Sequence, residues 1–457
     1  MLETAFLIFL VIFLLMKYLM ARDTDGTVLP SLPPGSLGWP VIGETFKLAV
    51  QKVNFFRERR RLYGRIFKTH LFGNPVIRVT GNKNVREILQ GENKTVKSSY
   101  PSSIRTLLGP NALSMSEGLL HKSRKVQLMQ YLSPEFLRKH RSGFVDLIDD
   151  HMLRWSSEPS VDIYLEIRAL FTEMAAKFLV DIDILLETNR RIKELYQQFT
   201  DNIFSLPVNL PGFGLYKGLR AKKELKKIFA AIIEEKGGKV SEFPSLLQAY
   251  GADLDDYARP DDERLLDAIV ELMWNASETV SSGAFAIIYH LTRNPAVLQK
   301  VREDIESQGI DNTSGPSYLD SVVKEALRVT PPVGGAYRKM NKSIGYTLPK
   351  NWTVICGFRD THENDVTLSD PLEFNPDRWL QAPEGKDRAA FLTFGGGLRI
   401  CPGKNYAMVV LRLFTRQLCN RFAWKFLTKD PELVLFPAPK PKHTLHACFF
   451  DKFGKAC

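Results

Sequence analysis

The sequence predicts a mainly α-helical protein with small β-sheets. Apolar residues recur at helical spacing from Glu117 to Glu235 and again from Asp262 to Gln308. Two shorter stretches, Phe67 to Val79 and Tyr346 to Cys356, alternate apolar and polar residues as strands do. The 457 residues, 44% apolar and 25% charged, have the composition of a folded globular protein with a large core. A disordered, collagen-like or polytopic membrane chain is excluded.

The cysteines form neither a disulfide framework nor a zinc ribbon. They stand at Cys356, Cys401, Cys419, Cys448 and Cys457, without a CxxC pair. The formal net charge of +11 suits nucleic acid, an anionic membrane surface or an acidic protein partner, and composition does not choose among them. The glycines of Gly212–Gly218 and Gly397–Lys404 miss the spacing of dinucleotide and phosphate loops, which argues against a Rossmann cofactor site and an ATPase.

Residues 1–22 are predicted to form a membrane anchor. No charge interrupts Ala5 to Met16, and the apolar character continues past Lys17 to Arg22. Such a segment approaches the ~20 residues of a membrane span if Lys17 extends to the interface. A cleaved secretory signal is the alternative, but no basic residue precedes the apolar stretch. The basic residues that follow it place the bulk of the chain on the cytoplasmic side.

A proline-rich segment separates the predicted anchor from the rest of the chain. Leu32 to Pro40 is dense in proline and glycine, so residues 23–40 are predicted to be a stiff, non-helical hinge. The sequence contains no other linker of this kind, no internal repeat and no low-complexity segment. Residues 41–457 are therefore predicted to form a single domain.

The segment from Phe394 to Gly403 is the most informative about chemistry. Its glycines let the backbone approach a flat ligand closely, and Arg399 can meet an anionic group on that ligand. Cys401 stands where an apolar helix begins. A helix N-terminus favours the thiolate, which is the form of cysteine that binds metal.

The order Phe394-x-x-Gly397-x-Arg399-x-Cys401-x-Gly403 resembles the complete heme-binding signature of the cytochrome P-450 superfamily. This resemblance implies the cytochrome P-450 fold, heme b as the cofactor and Cys401 as the axial thiolate ligand of its iron. A thiolate ligand pushes electron density onto iron and favours cleavage of the O–O bond of dioxygen. The implied activity is that of a heme-thiolate monooxygenase.

Two further segments agree with this resemblance. Glu325 to Arg328 resembles the ExxR pair of the superfamily's K helix, and Phe374 to Trp379 resembles its meander. At i, i+3 spacing, Glu325 and Arg328 share one helical face, and Arg378 can complete a charged triad with them. These three residues are predicted to hold the fold around the heme without touching substrate.

The segment Asn275 to Val280 resembles the superfamily's oxygen-binding motif. The resemblance places Glu278 and Thr279 where an acid and a hydroxyl relay protons during oxygen activation. Ala276 occupies the position where glycine is usual. The alternative interpretation is an acid on a helix face and a threonine bonded back to the preceding turn.

The resemblance also implies cations for the heme propionates. Arg399 and Arg338 occupy positions where relatives bring such cations. His121 and Lys125 stand on a helix where many relatives have tryptophan and arginine. His121 is not expected to be the axial ligand, because the cysteine motif already supplies one.

Several segments outside the heme motifs look like the animal all-trans-retinoic-acid hydroxylases. They are Leu32–Gly35, Tyr63–Gly73, Ile104–Gly109, Asn202–Pro207 and Pro331–Gly335. The implied reaction is hydroxylation of an apolar lipid acid, most closely all-trans-retinoic acid. A sterol or terpenoid hydroxylase of the abscisic acid or brassinosteroid type is the alternative in the same clan. A heme-thiolate isomerase or dehydratase and a non-catalytic heme sensor are more distant alternatives.

Five residues are assigned to the substrate. Phe204, Val333 and Tyr337 fall in segments that resemble substrate-recognition regions and would wall an apolar pocket. Arg105 can pair with a carboxylate, although a heme propionate partner or a surface cation is an equal alternative. Tyr100 stands where the retinoic acid hydroxylases usually have tryptophan.

The sequence contains no flavin domain and no iron–sulfur spacing, so electrons must come from a separate protein. The resemblance implies NADPH-cytochrome P-450 reductase as that partner, a small lipophilic substrate and no nucleic acid. The predicted location is the endoplasmic reticulum membrane, with a single-pass N-terminal anchor and a cytosolic catalytic domain.

Overall fold

The computed structural model describes residues 8–13, 15, 32–40, 42–182, 184, 186–235, 262–308, 317–341, 348–380 and 391–452. Helices dominate and strands are short, so the predicted fold class is confirmed. The helices are α1 (Thr45–Gln51), α2 (Val53–Tyr63), α3 (Asn82–Gln90), α4 (Ser102–Leu108), α5 (Gly118–Tyr131), α6 (Pro134–Lys139), α7 (Arg141–Ser157), α8 (Ile163–Ala175), α9 (Leu186–Asp201), α10 (Gly214–Glu235), α11 (Glu263–Arg293), α12 (Pro295–Gln308), α13 (Tyr318–Val329), α14 (Phe358–His362) and α15 (Lys404–Arg421).

The strands form three small sheets. They are β1 (Ile66–Leu71), β2 (Asn74–Val79), β3 (Val96–Ser98), β4 (Val161–Asp162), β5 (Gly335–Met340), β6 (Thr353–Gly357), β7 (Phe422–Phe426), β8 (Leu433–Val434), β9 (Lys440–Pro441) and β10 (His446–Asp451). The five-stranded sheet has the order β1-β2-β6-β5-β3, the three-stranded sheet β4-β10-β7, and the last pairs β8 with β9. Strand β2 lies parallel to β6, and the other neighbours are antiparallel.

The chain divides into two compact units. The smaller comprises Met1–Pro101, Gly334–Ser369 and Gly395–Ile400, and the larger Ser102–Val333, Asp370–Phe394 and Cys401–Cys457. Residues 41–457, predicted to be one domain, contribute to both units.

The smaller unit is built on the five-stranded sheet. The predicted strand region Phe67–Val79 is the antiparallel hairpin of β1 and β2. In the described part of the predicted strand region Tyr346–Cys356, strand β6 begins at Thr353. Of that part, only Thr353–Cys356 therefore forms a strand. Side chains of α1, α2 and the sheet, including Phe55 and Phe67, form this unit's apolar core.

Part of the predicted hinge joins this sheet. The described residues 32–40 are non-helical, and the N–H of Lys68 donates to the carbonyl oxygen of Pro34 at 2.9 Å. A Cβ on Gly35 would lie 2.1 Å from the carbonyl oxygen of Lys68. Glycine thus allows the backbones to approach so closely.

The predicted anchor, residues 1–22, lies largely outside the described residues. Residues 8–13 of it are helical. In the portion of the chain that the structure describes, no helix combines the length and apolar character needed to cross a bilayer.

The larger unit is organised around α11, a helix of 31 residues. The Asp262 carboxylate caps its N-terminus by accepting from the Arg264 backbone N–H at 2.8 Å. Apolar side chains cover most of its circumference and pack in one core with α8, α13 and α15. Helix α13 begins with a capping box between Ser317 and Asp320. Two of these helices carry predicted functional residues, Glu278 and Thr279 on α11 and Glu325 and Arg328 on α13.

Candidate functional site

Cys401 ends a tight loop that leads into α15. Its backbone N–H donates to the carbonyl oxygen of Phe394 at 3.0 Å and closes that loop. The backbone N–H of Gly403 donates to the Cys401 sulfur. The loop therefore fixes the sulfur next to a helix N-terminus, with one amide donor directed at it.

Burial raises the pKa of the Cys401 thiol, and the hydrogen bond from Gly403 and the charges of Lys125 and Lys404 offset this only in part. The helix N-terminus alone predicts a thiolate, but in the folded chain desolvation is the larger effect. A metal cation at the sulfur would supply the missing positive charge, because coordination deprotonates a thiol. This donor set fits the axial ligand of heme iron.

The two glycines that flank Cys401 differ in what the backbone requires of them. Gly397 has φ +65°, and a Cβ there would lie 2.1 Å from the carbonyl oxygen of Leu89, at the end of α3. Gly403 has φ −85°, and a Cβ there would meet only the Cys401 sulfur at 3.9 Å. The backbone thus demands glycine at Gly397 and tolerates a side chain at Gly403.

Helix α5 carries the residues that the sequence places on the C-helix-like segment. Lys125 is buried, and its charge acts on the Cys401 sulfur. His121 is half-buried one turn earlier on the same helix. The structure thus brings Lys125 into the electrostatic surroundings of the predicted ligand.

The structure brings together the two arginines predicted to meet the heme propionates. Arg338 lies on β5 and Arg399 in a short 3-10 turn, and both form ion pairs with the carboxylate of Glu92, at 2.9 Å and 2.8 Å. All three side chains are buried.

Glu278 and Thr279 sit at mid-length in α11 and have different surroundings. The buried Glu278 carboxylate forms an ion pair with Arg168 of α8, whose Nε donates to it at 2.9 Å. Thr279 is half-buried, and its hydroxyl donates to the carbonyl oxygen of Asn275 at 2.6 Å. Both contacts match the alternative interpretation, an acid held by a structural partner and a threonine bonded back to its own helix.

The predicted charged triad is closed around Glu325. Arg328 donates to both Glu325 oxygens, at 2.8 and 2.9 Å, and Arg378 Nε donates at 2.9 Å. The Trp379 indole and the backbone N–H of Asn375 add donors at 2.8 and 3.0 Å. Glu325 and Arg328 have no exposed surface. Burial raises the pKa of Glu325, but the hydrogen bonds from Arg328 and Asn375 and the charges of Arg328 and Arg378 together outweigh it, so this pKa lies below its ordinary value.

The predicted substrate residues fall into separate groups. In the smaller unit the rings of Tyr100 and Tyr337 lie 6.3 Å apart. In the larger unit Phe204 packs against Phe436, with ring centroids 4.9 Å apart.

The remaining two substrate residues, Arg105 on α4 and Val333 after α13, are exposed. The Ser103 hydroxyl, also on α4, donates to the carbonyl oxygen of Ile203 at 3.1 Å. This bond holds the Arg105 helix beside the segment that carries Phe204.

Sequence reasoning missed four residues at these sites. They are Glu92, Arg168, Trp379 and Phe436. Trp379 could have been predicted, because it is the last residue of the meander-like segment Phe374–Trp379. The other three stand in segments without a recognisable motif, and their partners lie far away along the chain.

A family model described as Cytochrome P450 matches residues 33–445. Cytochrome P450 26B1 of Rattus norvegicus is 35% identical to the chain, over 94% of this chain and 89% of the relative. Cytochrome P450 26B1 of Homo sapiens shows the same identity and coverage. Cytochrome P450 26A1 of Xenopus laevis is also 35% identical, over 94% of this chain and 92% of the relative.

Solved structures agree with this relationship. Retinoic acid-bound cyanobacterial CYP120A1 superposes with a TM-score of 0.81 and 29% identity, covering 92% of this chain and 99% of its own. A single-residue variant of cytochrome P450 OleT in complex with arachidonic acid gives 0.74 over 90% of this chain and 98% of its own; at 20% identity this likeness concerns the fold alone. The chain belongs to the cytochrome P450 family and is a heme b-dependent monooxygenase.

Proposed function

We propose that this enzyme hydroxylates an apolar carboxylic acid of the retinoid type, with all-trans-retinoic acid as its substrate. The main support is the 29% identical cyanobacterial neighbour, which was solved with retinoic acid bound and matches 92% of this chain. The segments that look like retinoic acid hydroxylases point the same way.

In this proposal Cys401 is the axial ligand of the heme. When bound, heme supplies the activation of dioxygen that monooxygenation requires. The loop between Phe394 and Cys401 holds the sulfur in place, and the Gly403 amide and the Lys125 charge favour its thiolate. The family's heme cofactor rests on the comparisons above, while its assignment to this particular cysteine is part of the proposal.

Thr279 and Glu278 are proposed to deliver protons. The Thr279 hydroxyl gives its hydrogen to Asn275 and keeps its oxygen lone pairs available, so it can accept a hydrogen bond from a proton donor. Glu278 can serve as the acid behind it once the ion pair with Arg168 opens. Thr279, unlike Glu278, needs no ion pair to open before it can act.

Replacing Thr279 tests whether its hydroxyl delivers protons or only stabilises helix α11. Thr279→Ala should still consume NADPH but release hydrogen peroxide in place of hydroxylated product, because oxygen is reduced while its protons arrive wrongly. The matched control is Ser277→Ala, which removes another hydroxyl bonded back at 2.6 Å on the same helix. Coupled turnover in Thr279→Ala equal to that of Ser277→Ala would show that Thr279 has only its structural role.

The substrate assignment rests on aromatic side chains and one cation. Tyr100, Tyr337 and Phe204 offer apolar ring surface suited to a polyene. Arg105 is exposed on α4, next to the segment of Phe204, and is proposed to meet the carboxylate. A charge-assisted hydrogen bond of this kind is worth about 1.5–3 kcal/mol, or roughly ten-fold or more in affinity.

The experiment compares retinoic acid and retinol as ligands and substrates, with reductase and NADPH. Arg105→Ala should weaken binding of retinoic acid about ten-fold and leave retinol unaffected. The matched variant Arg105→Lys, which keeps the charge, should lose less. Oxidation of a sterol or of abscisic acid with neither retinoid touched would overturn the substrate proposal and leave only the monooxygenase class.

We further propose that the enzyme is anchored in the endoplasmic reticulum membrane by residues 1–22 and receives electrons from NADPH-cytochrome P450 reductase. The support is the uncharged stretch from Ala5 to Met16 and the proline-rich segment that follows. Deleting residues 1–22 should move the protein from the membrane fraction to the soluble fraction with its heme intact. Loss of heme incorporation would show instead that the segment packs on the globular part.

A further inference from the structure

Glu92 is a buried carboxylate shared by two arginines in the smaller unit. It follows the C-terminus of α3 and is 2% exposed. Arg399 Nε donates to its Oε1 at 2.8 Å, and the backbone N–H of Ser98 donates to the same oxygen at 3.0 Å. These two bonds fix the carboxylate against β3 and the 3-10 turn.

The second arginine, Arg338, makes no hydrogen bond to Glu92. Arg338 Nε lies 2.9 Å from Glu92 Oε2, yet within the described chain neither atom makes a hydrogen bond, because the N–H does not point at the oxygen. Another nitrogen of the same guanidinium donates to its neighbour's backbone, the carbonyl oxygen of Tyr337, at 2.9 Å. A buried donor without a hydrogen bond is costly unless a ligand completes it.

The charges in this cluster do not cancel. Two guanidinium groups face one carboxylate, so Glu92, Arg338 and Arg399 together carry one positive charge in a mostly buried place. Because Arg338 Nε makes no hydrogen bond within the described residues, its guanidinium is suited to receive an anion without giving up Glu92.

The position of Arg399 in the sequence suggests the identity of this anion. Arg399 stands two residues before Cys401, so its backbone lies within about 7 Å of the proposed iron ligand. Heme b carries two carboxylates, and Arg338 is coupled to Arg399 by Glu92. We propose that Glu92 is a positioning residue, which holds the Arg338 and Arg399 guanidinium groups in the orientation that binds the propionates of heme b. This inference rests on the proposed ligation by Cys401.

A second buried carboxylate in the same unit provides the matched control. Glu44 is also 2% exposed, and it accepts from Arg59 at 2.6 and 3.0 Å and from the Thr69 hydroxyl at 2.8 Å. Its arginine is not one of the two assigned to the heme. Removing either carboxylate leaves a buried arginine without its partner, so both substitutions are expected to destabilise the fold.

The experiment measures heme transfer from the ferric holoenzyme to excess apomyoglobin, for Glu92→Gln and Glu44→Gln, beside urea unfolding of each. Glu92→Gln should release heme about ten-fold faster than wild type, and Glu44→Gln should release it at the wild-type rate. In an Arg399→Gln background, Glu92→Gln should add less than it does alone, because the two residues act through one contact.

Heme release from Glu92→Gln at the wild-type rate, or equal acceleration by Glu44→Gln, would overturn the positioning role. Additive effects in the double variant would also overturn it, because Glu92 would then act independently of Arg399. If Glu92→Gln does not load heme, Glu92→Asp is measured in the same way. Failure of the Cys401 assignment is separately visible, since the wild type would then lack the absorption band of a thiolate-ligated heme.

Discussion

Within the described residues, two buried networks each place one glutamate between two arginines, and they differ in how many hydrogen bonds the glutamate accepts. Glu325 of the larger unit accepts five hydrogen bonds, from Arg328, Arg378, Trp379 and the Asn375 backbone. From the described part of the chain, Glu92 of the smaller unit accepts two, from Arg399 and the Ser98 backbone.

This difference separates a structural network from one prepared for a ligand. A closed network gains nothing from an added anion, because each carboxylate oxygen already has its donors. In the Glu92 cluster, by contrast, Arg338 Nε and Glu92 Oε2 make no hydrogen bond within the described residues. One glutamate and two arginines thus hold the fold in one unit, and in the other they leave one arginine nitrogen able to bind a ligand.

The largest effect is expected from breaking the Glu325 network, in which both carboxylate oxygens already have their donors. Glu325→Ala should cost about 3–5 kcal/mol, because it leaves Arg328 and Arg378 buried without their counter-charge. Little heme-loaded protein should be recovered, and urea unfolding of what remains should shift to much lower denaturant. Normal heme content with only the product altered would place Glu325 at the substrate instead.

The buried His290 should also make the larger unit sensitive to acid. His290 stacks on Phe374 with ring centroids 4.6 Å apart, and burial lowers its pKa from 6.5 to about 4. The unfolded chain therefore takes up a proton near pH 6.5 that the folded chain refuses until about pH 4. This contribution to stability is complete above pH 6.5 and is lost progressively toward pH 4, by about 3 kcal/mol.

Unfolding free energies measured from pH 7 to pH 4 test this expectation. His290→Gln has no group to titrate, so its stability should fall less over that window than that of the wild type. Parallel pH profiles for the two proteins would mean that other groups cause the acid sensitivity.

A smaller effect is expected at the glycine that leads to Arg399. Gly397→Ala forces a side chain into a left-handed conformation, at a cost of about 1–2 kcal/mol, and presses it against the carbonyl oxygen of Leu89. The turn should shift and heme retention should fall. Gly403→Ala, which has room for its Cβ, is the matched control and should change stability less. Equal loss in both variants would mean that the motif's glycines serve another purpose.

Much of the fold and part of the site follow from the sequence, because their signals are local. The Phe394–Gly403 segment and the pair Glu325 and Arg328 are short patterns, and periodicity gives the helix-rich class. The Tyr346–Cys356 region shows the limit, since alternation alone does not say where pairing begins: the described strand there starts at Thr353.

The remainder depends on contacts between distant segments. Arg399 lies 307 residues from Glu92, and Arg168 lies 110 residues from Glu278. No sequence pattern predicts such pairs. The raised pKa of the metal-free Cys401 thiol could not be predicted for a related reason, because the helix N-terminus is visible in the sequence while the depth of burial is a property of the folded protein.

The central claim, that Cys401 is the thiolate ligand of the heme, has a direct spectroscopic test. The reduced wild-type protein with carbon monoxide should absorb at ~450 nm, as thiolate-ligated heme does. Cys448→Ser, which alters a half-buried cysteine outside the motif, should keep this band, and Cys401→Ser should lose it. A band at ~450 nm that survives in Cys401→Ser would contradict the assignment and require another ligand.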